Sequence, residues 1–507
     1  MLAKVYSGTI YGIEGYIVEV EIDISSGLPS FNIVGLPDTA VKESKERVSS
    51  AIRNSGFDFP SRKITVNLAP ADLKKEGAGF DLPISLGILA ALGQINIDKL
   101  KNYYIIGELA LDGSVRPVKG VLPLVLKFAK ENNCCGIILP QYNAKEAAVS
   151  KIDVYPVSNL KQVVKFLNGE EEISIFKIDL QKLYEENFVY DVDFSEVKGQ
   201  QYAKRAIEVA ASGGHNILMI GPPGSGKTML ATRIPTILPK LTFEEAIETT
   251  KIYSSAGMLS NGFISTRPFR APHHTISDIA LVGGGQIPRP GEISLAHNGV
   301  LFLDELPEFN RNVLEVLRQP LEKGCITISR AVFKIDYPAR IMLVAACNPC
   351  PCGYYGHPKK ECVCTPYQIQ KYISKISGPL LDRIDIQIEV PPVEIEEISS
   401  DISSETSEEI RKRVEKVRLL QYERYKGKKV YTNAQLTSKL IKEFCPMAEE
   451  TKRLLKISVE KMSFSARAYD RIIKVARTIA DMDNKEIIDS VHISEAVQYR
   501  SIDKLIK

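Results

Sequence analysis

The chain has 507 residues, 44% of them hydrophobic and 25% charged, and a formal net charge of +3. That length suits roughly three globular domains of ordinary composition. The small net charge excludes a polycation, so any nucleic-acid contact must come from local basic patches. No apolar run is long and unbroken enough to span a bilayer, and the opening Met1-Leu2-Ala3-Lys4-Val5-Tyr6 lacks a secretory pattern. A cytoplasmic protein without a membrane partner is expected.

Residues 1–167 alternate strand-like runs (Ile17 to Ile24, Ile64 to Leu68, Ile137 to Leu139) with a helix-like apolar run, Leu82 to Leu92. An acidic stretch, Gly169-Glu170-Glu171-Glu172, opens a linker over 168–193. The next region, 194–392, holds the buried-type strands Ile217 to Ile220, Val300 to Leu303 and Ile341 to Ala346. After Pro391-Pro392 comes an acidic, serine-rich connection, Glu394 to Glu409, and the remainder of 393–507 reads as a helical bundle.

The run Gly221-Pro222-Pro223-Gly224-Ser225-Gly226-Lys227-Thr228 follows one of those strands and precedes a helical segment, the order a phosphate-binding loop requires. Glycines let successive N–H groups turn inward around a β-phosphate. Lys227 then reaches the β- and γ-phosphates and the Thr228 hydroxyl ligates Mg²⁺, so ATP and Mg²⁺ are the expected cofactors. Downstream, Asp304-Glu305 ends the Val300 to Leu303 strand: Asp304 is placed to hold the Mg²⁺ shell, and Glu305 to polarise the attacking water. Asn348, after the third strand, suits the lytic water or the γ-phosphate. Arg383, in Leu381-Asp382-Arg383-Ile384-Asp385, and Arg467, at the head of an amphipathic helix through Ala480, are candidate sensors of charge on the γ-phosphate.

Two stretches are candidates for DNA contact, a reading implied by their match to the channel-facing insertions of the AAA+ helicases that the motifs above resemble. Ser277 to Glu292 carries Gly283-Gly284-Gly285 and Arg289, and Cys325 to Arg340 has the pattern of a β-hairpin with Arg330 and Lys334 near its tip. A basic hairpin of this kind tracks a phosphate backbone without reading bases. The basic stretch Glu409 to Lys429 is read as a solvated helix face. His273 and His274, as adjacent residues, are expected to face different ways and to make a poor metal pair.

Five of the nine cysteines fall between Cys347 and Cys364. Within that insertion, Cys350, Cys352, Cys362 and Cys364 form two CxC pairs that can close a tetrahedral thiolate site for structural Zn²⁺, with His357 or Cys347 as possible replacements for one ligand. Such a site pins a loop and does no catalysis.

The order of P-loop, Leu301-Phe302-Leu303-Asp304-Glu305, Asn348, Arg383 and Arg467 resembles an AAA+ ATPase. Arg267-Pro-Phe-Arg-Ala-Pro-His-His-Thr275, Pro290-Gly-Glu-Ile-Ser-Leu-Ala-His-Asn-Gly-Val300 and Asn348-Pro-Cys-Pro-Cys-Gly353 narrow it to the magnesium-chelatase-like group, and along its length the chain is similar to the ComM/YifB family. The resemblance implies a hexameric ring with ATP at subunit interfaces, Arg383 acting on the neighbour's nucleotide, and single-stranded or branched DNA as partner, in branch migration during natural transformation. The alternative is the ATPase subunit of a metal chelatase that remodels a partner protein. Lys74 to Leu82 and Gly113 to Gly120 further resemble the Lon-protease-like (S5-type) fold. The matching serine and lysine positions are Gly79 and Leu122, which implies a non-proteolytic domain. The expected fold is therefore α/β: an S5-type N-terminal domain, a P-loop core with a parallel sheet, and a C-terminal helical lid.

Overall fold

The computed structural model describes residues 2–131, 134–186, 188–285, 288–330, 333–393, 404–462 and 465–500. The chain divides into two compact units. One comprises 1–188 together with 243–265, and the other comprises 189–242 and 266–507. The segment 243–265, which lies within the 194–392 region in sequence, therefore packs with the N-terminal unit.

The first unit is built on a seven-stranded mixed sheet. Its spatial order is Ser30–Val34, Lys63–Ala69, Glu14–Ser25, Leu2–Tyr11, Tyr103–Ile105, Gly136–Pro140 and Val154–Val157. The Asp81–Ala91 helix, buried at every position, lies against this sheet. Gly87 permits the approach, because a Cβ there would stand 2.1 Å from Ile22 Cδ1. The Phe243–Ala256 helix belongs to this unit, and its Ser254 hydroxyl donates to the buried carboxylate of Glu146. Gly79 sits in a single 3₁₀ turn, Ala78–Phe80. Leu122 is fully buried and donates its backbone N–H to Glu146 Oε1 (2.9 Å). Neither position offers a nucleophile or a base.

The second unit contains a five-stranded parallel sheet ordered Phe269–Arg270, Val300–Leu303, Met342–Cys347, Ile217–Ile220, Ile386–Glu389. Both faces are covered, as the near-continuous apolar runs require. Ile217, Met219, Val300 and Phe302 join one core, and Leu218, Leu301 and Leu303 join the other. The register sets the strand ends level. Ile220 pairs with Cys347, so Gly221 and Asn348 leave the sheet side by side, with Asp304 emerging one strand further along.

The helices Ser407–Arg424, Ser438–Phe444, Glu449–Lys461, Ala466–Met482 and Ser490–Gln498 form the lid and share the first of those cores. A buried polar network fastens them down: His215 bonds Asp385 Oδ2 through Nδ1 (3.0 Å) and Thr478 Oγ1 through Nε2 (2.8 Å). The basic stretch from Glu409 is solvated as expected at Lys412, Arg413, Lys416, Lys426, Lys428 and Lys429, but Arg411, Arg418 and Arg424 are half-buried. Arg411 donates to Thr236 O, Arg418 to Ala211 O, and Arg413 and Arg424 pair with Glu208 and Asp481. Guanidinium groups have donors enough to satisfy backbone carbonyls at a packed helix interface, and here Arg411, Arg413 and Arg418 staple the lid to the core while Arg424 ties two lid helices together. Residues 394–403 of the acidic connection lie outside the described residues.

Candidate functional site

The candidate site stands at the C-terminal edge of the parallel sheet, where open α/β sheets place ligands. Gly224 and Gly226 adopt positive φ (77° and 85°), a conformation that a side chain would strain. Through this turn the chain enters the Lys227–Ile237 helix with its N–H groups and the positive end of the helix dipole aimed at the loop. Lys227 Nζ donates to the carbonyls of Gly221 (2.7 Å) and Pro222 (2.9 Å) and lies 3.5 Å from Asn348 Oδ1. Burial lowers the Lys227 pKa, opposed by the nearby carboxylates of Asp304 and Glu305.

Thr228 Oγ1 donates to Asp304 Oδ2 at 2.8 Å, which joins the two expected Mg²⁺ ligands directly. Glu305 occupies the left-handed region (φ 52°) and its N–H donates to Asp304 Oδ1 (2.9 Å). Asp304 is thus tied back to the loop while the Glu305 carboxylate turns outward. The donor set fits a magnesium-bound triphosphate: backbone N–H groups and a lysine for phosphate oxygens, and a hydroxyl with a carboxylate for a hard cation.

Arg383 is bonded to Glu322 and to the Pro379 carbonyl, and its side chain is only 12% exposed. Arg467, at the head of the Ala466–Met482 helix, pairs with Asp382 Oδ2 at 3.3 Å. Arg467 thus pairs with the residue that precedes Arg383, whose own guanidinium is turned to Glu322.

The two expected insertions are both antiparallel ribbons. Gly283–Gly284 pairs with Arg289–Pro290, and Cys325–Arg330 pairs with Phe333–Pro338. The buried Tyr337 hydroxyl donates to Pro288 O (2.9 Å), joining one ribbon to the other. Arg289 and Lys334 are exposed. The Arg330 side chain lies outside the described residues.

Cys350, Cys352, Cys362 and Cys364 converge, with all four Sγ atoms within 4.8 Å of one another. Separations of 3.3 Å (Cys350–Cys352), 3.7 Å (Cys350–Cys362) and 3.6 Å (Cys352–Cys362) fall near the tetrahedron edge of about 3.8 Å that Zn–S bonds of about 2.3 Å dictate. The Tyr354 backbone N–H holds the Cys352 thiol down, at about 6. Neither possible substitute joins the group. His357 Nδ1 accepts the backbone N–H groups of Lys359 and Lys360, and Cys347 is a buried strand residue whose thiol burial pushes up to about 12.

One contact was not read from the sequence. His273 and His274 do not face apart: their rings lie 4.0 Å apart, and His274 Nδ1 stands 3.6 Å from Glu305 Oε2. The pair follows the short Phe269–Arg270 strand, so extended-chain alternation does not apply to it. Its position beyond the strand next to Val300–Leu303 was the available signal.

Comparison with known proteins finds matches along nearly the whole chain. The family model for magnesium chelatase, subunit ChlI, matches residues 193–398. Two companion models, for subunit ChlI of Mg-chelatase and for the ChlI C-terminal region, match 20–143 and 404–500. The chain is 47% identical to competence protein ComM of Haemophilus influenzae over all of its own length and 99% of the relative's. It is 44% identical to protein YifB of Escherichia coli over all of its length and 98% of the relative's. A partial likeness, 26% over 33% of each chain, links it to Lon protease 2 of Bacillus subtilis.

Proposed function

The chain belongs to the ComM/YifB branch of the magnesium-chelatase-like AAA+ ATPases, and from that premise we propose that it is a ring motor that uses ATP hydrolysis to move DNA, as a helicase or branch-migration translocase. The ATPase role follows from the family. The observation that carries the motor reading is the pair of ribbons tied by Tyr337 to Pro288, whose strands carry the exposed Arg289 and Lys334. Basic side chains so displayed suit a phosphate backbone passing through a ring. One relative's name, competence protein, supports the same reading.

In this reading Lys227 and the loop N–H groups hold the β- and γ-phosphates, and Thr228 with Asp304 orients the cation. Bound Mg²⁺ neutralises charge developing on the phosphoryl oxygens. Glu305 accepts a proton from the attacking water, and Asn348 fixes that water against the γ-phosphate. Arg383 and Arg467, linked through Asp382, approach a single nucleotide together, that of the neighbouring subunit in a hexamer. The four-cysteine group holds a structural zinc ion.

The test is ATP hydrolysis with and without forked or single-stranded DNA, alongside strand displacement, with Lys227→Ala as the inactive control. DNA-stimulated hydrolysis coupled to displacement is expected. Hydrolysis indifferent to DNA, without displacement, overturns the motor reading and leaves the ATPase intact.

A further inference from the structure

The cysteine insertion does more than close on itself. It leaves the sheet directly after Asn348 and doubles back so that Gly353 rests on the P-loop: a Cβ at Gly353 would lie 2.6 Å from Pro223 Cδ. Beside that contact opens a cleft of about 390 Å³. Gly221 and Pro222 of the loop line it, together with Tyr202 and with Tyr355 and His357 of the insertion. Phosphates held at Gly224 to Thr228 leave the ribose and base to extend away from the helix N-terminus, and this cleft adjoins the loop on its Gly221–Pro222 side. Its size is that of a small-ligand pocket. Tyr202 and Tyr355 are 43% and 45% exposed, so each keeps aromatic surface that a purine can cover, Tyr202 beside its ring contact with Tyr499.

The metal group and this wall are one piece. The Tyr355 backbone N–H donates to Cys350 Sγ (3.3 Å), and the Cys352 N–H donates to Cys364 Sγ (3.4 Å). N–H donors to ligating sulfurs are the outer shell that fixes a metal loop. The position of Tyr355 is therefore set through a ligand atom.

We propose that the four-cysteine centre, loaded with a thiophilic divalent cation of the zinc class, is the element that holds Tyr355 in place as a wall of the nucleoside pocket, so that nucleotide affinity depends on metal occupancy. The inference rests on the ATPase reading above and adds a control point to it. A single cation bonded to all four sulfurs cross-links the two ends of the insertion and fixes the loop between them. Without the cation the loop loses its fixed geometry, Tyr355 leaves the cleft, and the phosphate cradle, built on other elements, persists.

The full-length protein is assayed for zinc and for binding of a fluorescent ATP analogue, with no hydrolysis required. One zinc per chain is expected. Cys362→Ser with Cys364→Ser should lose the metal and weaken analogue binding by about tenfold or more, while Tyr355→Ala should keep the metal and weaken binding by about fivefold. Should the double cysteine variant fail to fold, wild-type protein stripped of zinc by a chelator and then reloaded decides: analogue binding falls on removal and returns on reloading. Wild-type affinity in the zinc-free protein or in Tyr355→Ala overturns the proposal, as does a wild-type protein without zinc. Lys227→Ala should retain zinc and lose binding. A zinc-loaded wild type that binds no nucleotide would sink the ATPase reading itself and this proposal with it.

Discussion

His274 Nδ1 stands 3.6 Å from Oε2 of Glu305, the candidate general base, and the His274 ring packs on its neighbour His273 and edge-on to Phe309. Glu305 is otherwise an outward carboxylate on a left-handed residue, so the imidazole is what stands across from it on the adjoining strand exit. The arrangement makes His274 a positioning residue for Glu305. His274→Ala should lower kcat for ATP by about tenfold with KM within about twofold, because nucleotide contacts are untouched. Steady-state kinetics with His274→Gln, which retains a polar atom near the carboxylate, should recover part of the loss. Unchanged kcat in the alanine variant would separate His274 from catalysis.

The 2.8 Å bond between Thr228 Oγ1 and Asp304 Oδ2 leads to a magnesium-specific prediction. Removing the hydroxyl takes one ligand from the cation shell and leaves the glycine loop and Lys227 in place. Thr228→Ala should therefore shift the Mg²⁺ concentration for half-maximal hydrolysis upward by about tenfold, with nucleotide binding in the absence of Mg²⁺ close to wild type. A Mg²⁺ titration of hydrolysis reads this directly. An unshifted midpoint would remove Thr228 from the shell.

The parts of this site that rest on local backbone rules were legible in the sequence. A strand, a glycine turn and a helix are consecutive in the chain, so Gly221 to Thr228 declares itself, and Val300 to Leu303 announces Asp304 by its apolar run. The convergence of the two CxC pairs was legible for the same reason: each pair is a short local unit. What long-range packing decides was not. Nothing in the spacing of Asp382, Arg383 and Arg467 tells that Arg467 pairs with the carboxylate preceding an arginine 84 residues away in sequence (467 − 383). The inward use of Arg411, Arg418 and Arg424 was hidden too, because a basic helix looks the same whether its partners are water or groups of the packed protein. The membership of 243–265 in the N-terminal unit depends on contacts such as Ser254 with Glu146, which no local pattern encodes.

A pH prediction attaches to the N-terminal unit. Asp81 is fully buried. Burial raises its pKa to about 6, against the opposing effect of Arg47, whose Nε lies 2.7 Å and Nη2 3.1 Å from the carboxylate. A carboxyl whose folded pKa exceeds its unfolded value binds more protons folded than unfolded. Its stabilising contribution is therefore complete below about pH 4 and is lost as pH rises through about 6. Arg47→Met leaves the carboxylate buried without its cation, which costs about 3–5 kcal/mol where Asp81 must ionise and much less where it stays protonated. Thermal unfolding of the N-terminal unit's transition at pH 5 and pH 7.5 should show a larger gap between variant and wild type at pH 7.5. An equal gap at both would mean that Asp81 does not titrate in this range.

The link between Arg467 and the Arg383 segment gives a prediction about which subunit each arginine serves. Arg467 is held at Asp382, the residue next to Arg383, by a 3.3 Å ion pair, which puts the start of its helix beside the segment that carries Arg383. In a ring of heterologous contacts, a nucleotide on Lys227 of one subunit meets the arginines of the next. Lys227→Ala and Arg383→Ala proteins should each be inactive alone. Mixed in equal amounts, they should regain activity at about a quarter of sites, since half the P-loops are intact and half of their neighbours supply the arginine. The same mixing with Arg467→Ala in place of Arg383→Ala distinguishes the two geometries. If Arg467 acts on the neighbour's nucleotide, activity returns to a similar extent. If it acts within its own subunit, every intact P-loop sits in a chain that lacks Arg467 and the mixture stays inactive. The pairing through Asp382 predicts recovery in both mixtures, and ATP hydrolysis after subunit exchange measures it.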